Sequence, residues 1–364
     1  MKRKRILVNA YYNINLGDDL FLKVLFERYP NVQWELLTTK KKYELIFKEY
    51  KNVNLIKQSS LNVLVKKVRF YRRLDNLLFY YFRYSAYVYI GGSIFMEGKG
   101  WEKFLKERME VPLKFKKSKK PIFIIGANFG PFKDSYFINE HREYFKLFDD
   151  ICFRDKYSYN IFSNEQNIRL APDVIFGLKN DSVSYKEKSV GFSIINLVNR
   201  EGLKKYESQY KDKIVELIKR YIEKGFEVKL FSFCKKEGDL EAIKQIIESL
   251  RFKHRRKIKI VSYEGNIDNF LNEFKKCEII FGSRFHSIIL AFLFNQSVFP
   301  IIYSEKTYNI LNDLEMTSNY SYIRDISKIN VEKIIDEVSR NKLINNNIFE
   351  KSKKQFKYLD KFVD

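Results

Sequence analysis

Cys277-Glu278-Ile279-Ile280-Phe281 is a short apolar run that leads directly into Gly282-Ser283-Arg284-Phe285-His286-Ser287 and then into a second apolar segment. This order predicts a buried strand, a polar turn and an apolar helix, and open α/β sheets bind ligands at such strand ends. Arg284 can bind a phosphate or a carboxylate with a planar fork of N–H donors, while His286 can exchange a proton near neutral pH. The turn is therefore a candidate anion-binding site with acid/base capacity.

The chain has three histidines. His141 and His254 have arginine neighbours in polar segments, and we expect both at the surface. His286 is then the candidate proton-transfer residue, and the alternative is a buried histidine whose hydrogen bonds are satisfied.

Apolar runs alternate with helical patterns along the whole chain, which is typical of βαβ units and of parallel sheets. The fold class is therefore α/β. Strands are predicted at 5–9, 33–38, 86–90, 121–126 and 151–154 in the first half, and at 189–195, 226–233, 258–261, 278–281 and 298–303 in the second.

A chain of 364 residues is longer than one hydrophobic core usually serves. The polar stretch 179–188 shows no apolar periodicity and is the predicted boundary. We expect an N-terminal domain at 1–180, a C-terminal domain at 181–325, and a helical tail at 326–364 that packs back on the N-terminal domain.

Composition restricts the class of protein. Hydrophobic residues make up 45% and charged residues 31%, as in a soluble globular protein. The apolar segments are too short for an export signal or a membrane span, so we expect a cytoplasmic protein. Three widely separated cysteines without a C-x-x-C pair argue against a disulfide framework and a structural zinc site. The net charge of +23 favours anionic partners, and the alternative is that part of it reflects A/T-rich codons, which favour lysine, together with a need for solubility.

Residues 61–82 predict a long amphipathic helix with Lys66, Arg69 and Arg73 on one face. Such a face could contact an anionic membrane surface or a lipid diphosphate. A plain surface helix that covers the sheet is the alternative.

Other predicted strands also end in polar or glycine-bearing turns. The first strand leads into Asn15-Leu16-Gly17-Asp18 and a helix, whose N-terminal N–H groups can bind an anion, but no G-x-G-x-x-G dinucleotide motif occurs. Asp18 as the helix cap is the structural alternative. The turns at Gly91-Gly92-Ser93 and at Gly126 to Pro131 allow close approach of a ligand, and Asn128 can bind sugar hydroxyls.

Charged residues follow the remaining strands. Arg154 ends one strand, and Asp173 precedes an apolar run. An ion pair of Arg154 with Asp155 or Asp173 is the structural alternative to a ligand contact. Lys306 follows His286 after one helix and one strand, so we expect both over the same edge of a sheet.

Together these turns resemble those of the polysaccharide pyruvyl transferase family. The resemblance covers residues 5–310 and is carried, in chain order, by Asn15 to Asp18, Gly91-Gly92-Ser93, Gly126 to Pro131, Arg154-Asp155 to Ser158, Ala171-Pro172-Asp173, Ser283 to His286, and Lys306. The family commonly has a third glycine in place of Ser93 and Gly-Gln in place of Gly126-Ala127. Both positions lie in loops on the acceptor side.

The resemblance implies two Rossmann-like domains with parallel sheets facing a cleft, similar to the GT-B arrangement. It implies transfer of a pyruvyl group from phosphoenolpyruvate to a sugar of a bacterial surface polysaccharide, or of its lipid-diphosphate-linked precursor, as a ketal. No metal and no cofactor beyond this co-substrate are expected, because cationic side chains neutralise the donor.

The resemblance and the chemistry of the side chains together suggest three groups of site residues. Catalytic roles are expected for His286, Asp18 and Asp173. The donor is expected to contact Ser283, Arg284, Lys306 and Arg154. Acceptor and backbone-loop roles are expected for Asn15, Gly17, Gly91, Gly92, Ser93 and Asn128.

Two other functions stay open. A GT-B-type glycosyltransferase could hold the diphosphate of a nucleotide sugar at Ser283-Arg284, and a non-catalytic member of the family could bind a glycan. Specific nucleic-acid binding is disfavoured, because the basic residues are spread over many segments and no nucleic-acid motif occurs. The acceptor is expected at the inner face of the cytoplasmic membrane.

Overall fold

The computed structural model describes residues 3–56, 83–179, 186–343 and 347–364. The chain divides into two compact units. Unit 1 comprises Met1–Tyr12, Phe21–Gly177 and Asn347–Asp364, and unit 2 comprises Asn13–Leu20 and Leu178–Asn346. The amphipathic helix predicted for 61–82 lies outside the described residues.

Unit 1 contains a seven-stranded sheet in the order β3-β2-β1-β4-β5-β6-β7, and every neighbouring pair is parallel. Its strands are β1 (Arg5–Asn9), β2 (Gln33–Leu36), β3 (Val53–Leu55), β4 (Ala86–Ile90), β5 (Ile122–Ala127), β6 (Asp150–Phe153) and β7 (Ile168–Leu170). The helices between them are α1 (Leu16–Arg28, with its first residues in unit 2), α2 (Lys42–Ile46), α3 (Trp101–Lys117), α4 (Ser135–Phe145) and α5 (Lys156–Ile161). β4 and β5 are buried along their whole length, as apolar runs covered by helices on both faces must be.

Unit 2 contains a six-stranded parallel sheet in the order β10-β9-β8-β11-β12-β13. Its strands are β8 (Glu187–Ser193), β9 (Glu227–Ser232), β10 (Ile258–Ser262), β11 (Cys277–Gly282), β12 (Ser297–Ile302) and β13 (Ser321–Tyr322). Its helices are α6 (Glu207–Glu223), α7 (Asp239–Glu248), α8 (Phe252–Arg255), α9 (Ile267–Lys275), α10 (Phe285–Leu293), α11 (Glu305–Asp313) and α12 (Val331–Glu337).

Both sheets are Rossmann-like. In each, the first strand of the sequence lies inside the sheet, the next two strands lie on one side of it, and the later strands lie on the other side. In unit 1 the order reverses between β1 and β4, and in unit 2 between β8 and β11. Ligands of open α/β sheets bind at the carboxyl ends of the strands beside such a reversal. The loops after these four strands are therefore the candidate ligand-binding loops of the two units.

The domain limits differ from the predicted ones in two places. Residues 13–20 belong to unit 2 rather than to the N-terminal domain. The predicted tail begins too early at 326, because Ile326, Val331 and Ile334 are buried in the core of unit 2. The remaining C-terminal helices, α13 (Ile348–Ser352) and α14 (Lys357–Val363), belong to unit 1.

The expectation that His141 and His254 lie at the surface is wrong. They are 3% and 7% exposed. His141 lies one helical turn after Phe137 on α4, with its Nδ1 atom 2.9 Å from the Phe137 carbonyl oxygen, and burial lowers its pKa to about 4. A charged neighbour in sequence does not predict exposure, because adjacent residues of a helix point in different directions.

Candidate active site

His286 lies in the first turn of α10, directly after the carboxyl end of β11. The residue is half-buried, and its ring lies against the backbone of Gly17. A Cβ atom on Gly17 would stand only 1.7 Å from His286 Nδ1. The structure thus brings together two parts that were predicted separately, the turn before α1 and the histidine after β11.

Asn15 organises the turn before α1. Its Oδ1 atom accepts the backbone N–H of Gly17 at 3.1 Å, and its Nδ2 atom donates to Glu237 Oε1 at 3.2 Å. The helix cap is therefore Asn15 rather than Asp18, which lies half-buried in the first turn of the helix. The neighbouring Asp19 is buried and accepts a hydrogen bond of 2.7 Å from the Tyr263 hydroxyl.

The guanidinium group of Arg284 is buried between two carboxylates of its own unit. Its Nε atom donates to Asp239 Oδ2 at 3.0 Å, one terminal nitrogen donates to Glu237 Oε2 at 2.5 Å, and the other donates to Asp239 Oδ1. Three of the five N–H groups of the guanidinium thereby donate to carboxylates among the residues that the structure describes. The sequence predicted that the guanidinium N–H groups of Arg284 would be available to an anionic ligand, but most of them donate to Asp239 and Glu237.

Glu237 connects this ion pair to other parts of unit 2. The carboxylate also accepts a hydrogen bond of 2.8 Å from Arg200 and the bond from Asn15. Burial opposes its ionisation, but the positive charges of Arg284 and Arg200 outweigh burial and lower the pKa of Glu237 to about 2. One carboxylate thus fixes two arginines and the turn that faces His286.

Glu237→Gln is expected to lower the free energy of unfolding by about 2–3 kcal/mol at neutral pH. Because the folded-state pKa lies below the unfolded-state value, the difference should be complete above about pH 5 and should shrink as the pH falls toward 2. Urea unfolding at several pH values measures it. Glu264→Gln is the control, since Glu264 pairs with Lys235 at 3.2 Å in an exposed position. A difference that does not change with pH would contradict the assignment.

Lys306 lies in the first turn of α11, which follows β12. Since β12 pairs in parallel with β11, Lys306 and His286 follow neighbouring strands, as predicted. Tyr303, which the sequence did not single out, lies between β12 and Lys306, with the Arg200 guanidinium 4.8 Å from its ring centre. Burial opposes ionisation of Tyr303, yet Lys306, Arg200 and Arg284 hold its pKa below the usual value. This edge of the sheet therefore carries three cationic side chains, two of which, Arg200 and Arg284, are paired with carboxylates.

Ser283 helps to fix the turn after β11. Its backbone N–H and that of Arg284 both donate to the hydroxyl of Ser193, the last residue of β8, at 2.9 and 3.1 Å. The Ser283 hydroxyl is buried and lies 2.8 Å from the Tyr210 hydroxyl. Ser283 therefore fixes the turn after β11 to β8 and α6, and its predicted contact with a donor stays a prediction.

In unit 1, residues that follow four adjacent strands meet at the carboxyl edge of the sheet. Arg154 and Asp173 form an ion pair of 2.7 Å whose side chains are 2% and 0% exposed. The structural alternative considered for Arg154 is thus present with Asp173. A second nitrogen of Arg154 donates to Asn128 Oδ1 at 2.6 Å, and a Cβ atom on Gly92 would stand 2.6 Å from the guanidinium group. Glycine at position 92 leaves room for Arg154.

The amide of Asn128 has one defined orientation. Its Oδ1 atom accepts hydrogen bonds from Arg154 and from the Ser93 hydroxyl, the latter at 3.1 Å. Its Nδ2 atom is buried and has no hydrogen-bond partner among the residues that the structure describes. An unsatisfied buried N–H group costs free energy, which a ligand oxygen would recover. The role of Asn128 as a donor to an acceptor sugar stays a prediction, and the Ser93 hydroxyl helps to hold the amide.

Within the described ranges, no group of three His, Cys, Asp or Glu side chains is placed to hold a metal ion. The expectation that the reaction needs neither metal nor cofactor stays a prediction. No helix in the same part of the chain is long and apolar enough to cross a membrane.

Solved structures share the fold of this chain. They include the UDP-GlcNAc 2-epimerase of Methanocaldococcus jannaschii, with a TM-score of 0.57, 13% identity and 99% of each chain covered. The UDP-GlcNAc 2-epimerase of Neisseria meningitidis has a TM-score of 0.54 and 11% identity, and the match covers 99% of this chain and 100% of that one. Identities this low show the fold alone. The predicted class, two Rossmann-like domains of the GT-B-like type with parallel sheets, is confirmed.

Within this class, the polysaccharide pyruvyl transferase family model matches residues 15–305, and the chain belongs to that family. The match contains every predicted site residue except Lys306, which lies one position beyond it. The amylovoran biosynthesis protein AmsJ of Erwinia amylovora is 22% identical over 296 residues, which cover 71% of this chain and 69% of AmsJ. The resemblance drawn from the turns is therefore confirmed.

Proposed function

We propose that this protein transfers the pyruvyl group of phosphoenolpyruvate to two hydroxyl groups of one sugar and forms a ketal. The observation that carries the proposal is the family match over residues 15–305. The family, whose members are described as polysaccharide pyruvyl transferases, supports a polysaccharide as the source of the sugar. That this is a bacterial surface polysaccharide, or its lipid-diphosphate-linked precursor at the inner face of the cytoplasmic membrane, is part of the proposal and rests on the sequence resemblance. The predicted contact with an anionic membrane surface depends on residues outside the described ranges and stays a prediction.

The reaction needs proton transfer and neutralisation of anionic charge. One sugar hydroxyl adds to C2 of the enolpyruvyl group while the methylene carbon gains a proton, and the second hydroxyl then displaces phosphate. Of the two hydroxyl protons, one ends in the new methyl group and one leaves with hydrogen phosphate, so no oxidant or reductant is required. The imidazole of His286, with the cationic groups of Lys306 and Arg284 after the same and the neighbouring strand, would meet both requirements.

In this mechanism His286 delivers the proton to the methylene carbon. Lys306 and the guanidinium group of Arg284 bind the phosphate and carboxylate of the donor. Asp18, next to Gly17, and Asp173 stay the two predicted acceptors of a hydroxyl proton, and both oxygens of Asp173 accept hydrogen bonds, from Arg154 and from the backbone N–H of Ile175. In unit 1, Asn128 binds an acceptor hydroxyl, and Arg154 stays a predicted donor contact whose charge Asp173 compensates.

The proposal is tested by incubating the protein with phosphoenolpyruvate and a panel of p-nitrophenyl hexosides. Phosphate release coupled to a mass gain of pyruvate less one water supports it. Transfer of a hexose from a UDP-sugar to the same acceptors, with no use of phosphoenolpyruvate, would establish the glycosyltransferase alternative. Hexoside binding without turnover of either donor would establish a non-catalytic family member.

Arg284→Lys is expected to weaken phosphoenolpyruvate binding about tenfold or more, because lysine keeps the charge but cannot bind Asp239 with two parallel bonds and also reach a ligand. Isothermal titration of phosphoenolpyruvate without acceptor measures the affinity. Arg220→Lys is the control, since Arg220 forms exposed ion pairs with Glu223 and Glu332. Unchanged affinity in Arg284→Lys would exclude a direct contact with the donor.

A further inference from the structure

The C-terminal segment contributes one buried amide to the part of unit 1 that carries Asn128 and Arg154. Gln355 lies in the short turn Lys353–Phe356 between α13 and α14 and is 0% exposed. A long polar side chain at this depth must satisfy both ends of its amide. Gln355 does so entirely with backbone groups at the carboxyl ends of three adjacent strands.

The acceptor end of this amide closes a bulge in β5. The pairing of β5 with β6 shifts register between Ile125 and Ala127, and Gly126, which lies between them, has a φ of 77°. A positive φ of this size favours glycine. The N–H of Gly126 donates to Gln355 Oε1 at 3.0 Å. The bulge redirects β5 just before Asn128, so the direction of the Asn128 side chain depends on it.

The donor end of the same amide joins the two following strands. Gln355 Nε2 donates to the carbonyl oxygens of Ala171 at 2.7 Å, Pro172 at 3.1 Å and Phe153 at 3.3 Å. The carbonyls of Phe153 and Pro172 directly precede Arg154 and Asp173, and that of Ala171 lies one residue earlier. One side chain therefore fixes the backbone beside each member of the group formed by Asn128, Arg154 and Asp173.

The position of Gln355 is itself fixed by the sheet. The guanidinium group of Arg169 on β7 donates to the Gln355 carbonyl oxygen at 2.8 Å and to Asp150 Oδ2 on β6 at 2.9 Å. The next residue, Phe356, is also buried, and its ring centre lies 6.0 Å from that of Tyr29. The segment therefore has one residue, Gln355, that reaches the strand ends of the site, and a neighbour, Phe356, whose ring contacts Tyr29 and Arg28 away from them.

We propose that Gln355 is a positioning residue for the sugar acceptor. By holding the ends of β5, β6 and β7 together, it keeps the amide of Asn128 where its N–H group meets a sugar oxygen. Binding groups must be held to within about 0.5 Å for full effect. Without the hydrogen bond from Gly126 to Gln355, the bulge would not keep Asn128 within that distance of its position. The inference rests on the proposed function, since the acceptor is the sugar of the ketal-forming reaction.

Gln355→Met keeps the length of the side chain and removes its hydrogen bonds. We expect the KM for a p-nitrophenyl hexoside acceptor to rise about tenfold, the effect of losing one well-placed hydrogen bond, while the KM for phosphoenolpyruvate stays within about twofold. Gln355→Glu is the second variant in case the first folds poorly. It keeps an acceptor for Gly126 N–H and loses the donors to the three carbonyls, so the KM for the hexoside should rise less than in Gln355→Met while the KM for phosphoenolpyruvate again stays within about twofold.

Phe356→Leu is the matched control, because it loosens the same segment through its contact with Tyr29. It should lower thermal stability while leaving both KM values unchanged. If the Gln355 variants show the kinetic constants of Phe356→Leu, the positioning role is overturned and Gln355 acts only on stability.

Hydrogen exchange separates failure of this inference from failure of the proposed function. In Gln355→Met the amides of Gly126 and of Asn128, which donates to the Gly92 carbonyl oxygen at 2.8 Å, should exchange faster than in Phe356→Leu. If the unmodified protein forms no ketal, the proposed function fails, and faster exchange still supports the coupling of Gln355 to these loops. Equal exchange in both variants contradicts that coupling, whatever the reaction.

Discussion

Replacing His286 with glutamine is expected to lower kcat for ketal formation by about 10²–10⁴-fold, the usual contribution of a positioned proton-transfer group. Glutamine keeps hydrogen-bonding capacity but cannot deliver a proton to carbon. Binding of phosphoenolpyruvate should change little, because Lys306 and Arg284 lie on the same strand edge and are unaltered. Phosphate release measures the rate, and calorimetry without acceptor measures donor binding.

The control for this substitution is His254→Gln, which replaces the other histidine of unit 2. His254 lies in α8, away from β11 and β12 in the chain, and its side chain is buried. We expect this variant to lose stability and keep its kcat. Retention of full activity by His286→Gln would remove the imidazole from the mechanism.

The long strands could be predicted from the sequence because their physical signal is strong. Each predicted apolar run coincides with a strand, with ends displaced by a few residues. The strands that were missed, β3, β7 and β13, have three, three and two residues, and all lie at or near an edge of their sheet. Such short strands contain too few apolar side chains to form a recognisable run. Pairing with a neighbouring strand, which sequence pattern does not display, stabilises them.

The candidate site could be predicted in part for a related reason. A polar turn at the carboxyl end of a strand is visible in sequence, and this rule found His286, Lys306, Arg154 and Asn128. The same rule applied after β9 would have found Glu237 and Asp239, which follow that strand in a polar turn. Which turn faces which cannot be derived from local pattern, so the occupation of Arg284 by these carboxylates was not foreseen.

The assignment of residues 13–20 to unit 2 shows another limit of local pattern. This segment follows β1 directly and begins α1, so its neighbours in sequence indicate the N-terminal domain. Its hydrogen bonds are made elsewhere, from Leu16 N–H to the Phe233 carbonyl oxygen at 3.1 Å and from Asn15 to Glu237. Long-range bonds of this kind decide which unit a loop joins, and they place Gly17 beside His286.

Gly17→Ala is expected to reduce kcat at least 10²-fold, because displacing a catalytic group by about 1 Å is enough for a loss of that size. The new Cβ atom would stand 1.7 Å from His286 Nδ1. Either the imidazole or the turn must therefore move until the two atoms are well beyond that distance from each other. The atom belongs to the backbone framework of α1 and cannot rotate away. Phosphate release with phosphoenolpyruvate and a p-nitrophenyl hexoside measures the loss.

Stability should respond differently, and this separates a displaced catalytic group from a damaged fold. Gly17 lies in the first turn of α1, where alanine favours the helix by up to about 1 kcal/mol over glycine and so offsets part of the cost of the collision. In a His286→Ala background the collision is absent, and Gly17→Ala should then stabilise the protein. Gly98→Ala is the control, since a Cβ atom there meets nothing within 4 Å and activity should be unchanged. Full activity in Gly17→Ala would mean that the imidazole can leave this position without cost, which the proposed mechanism does not permit.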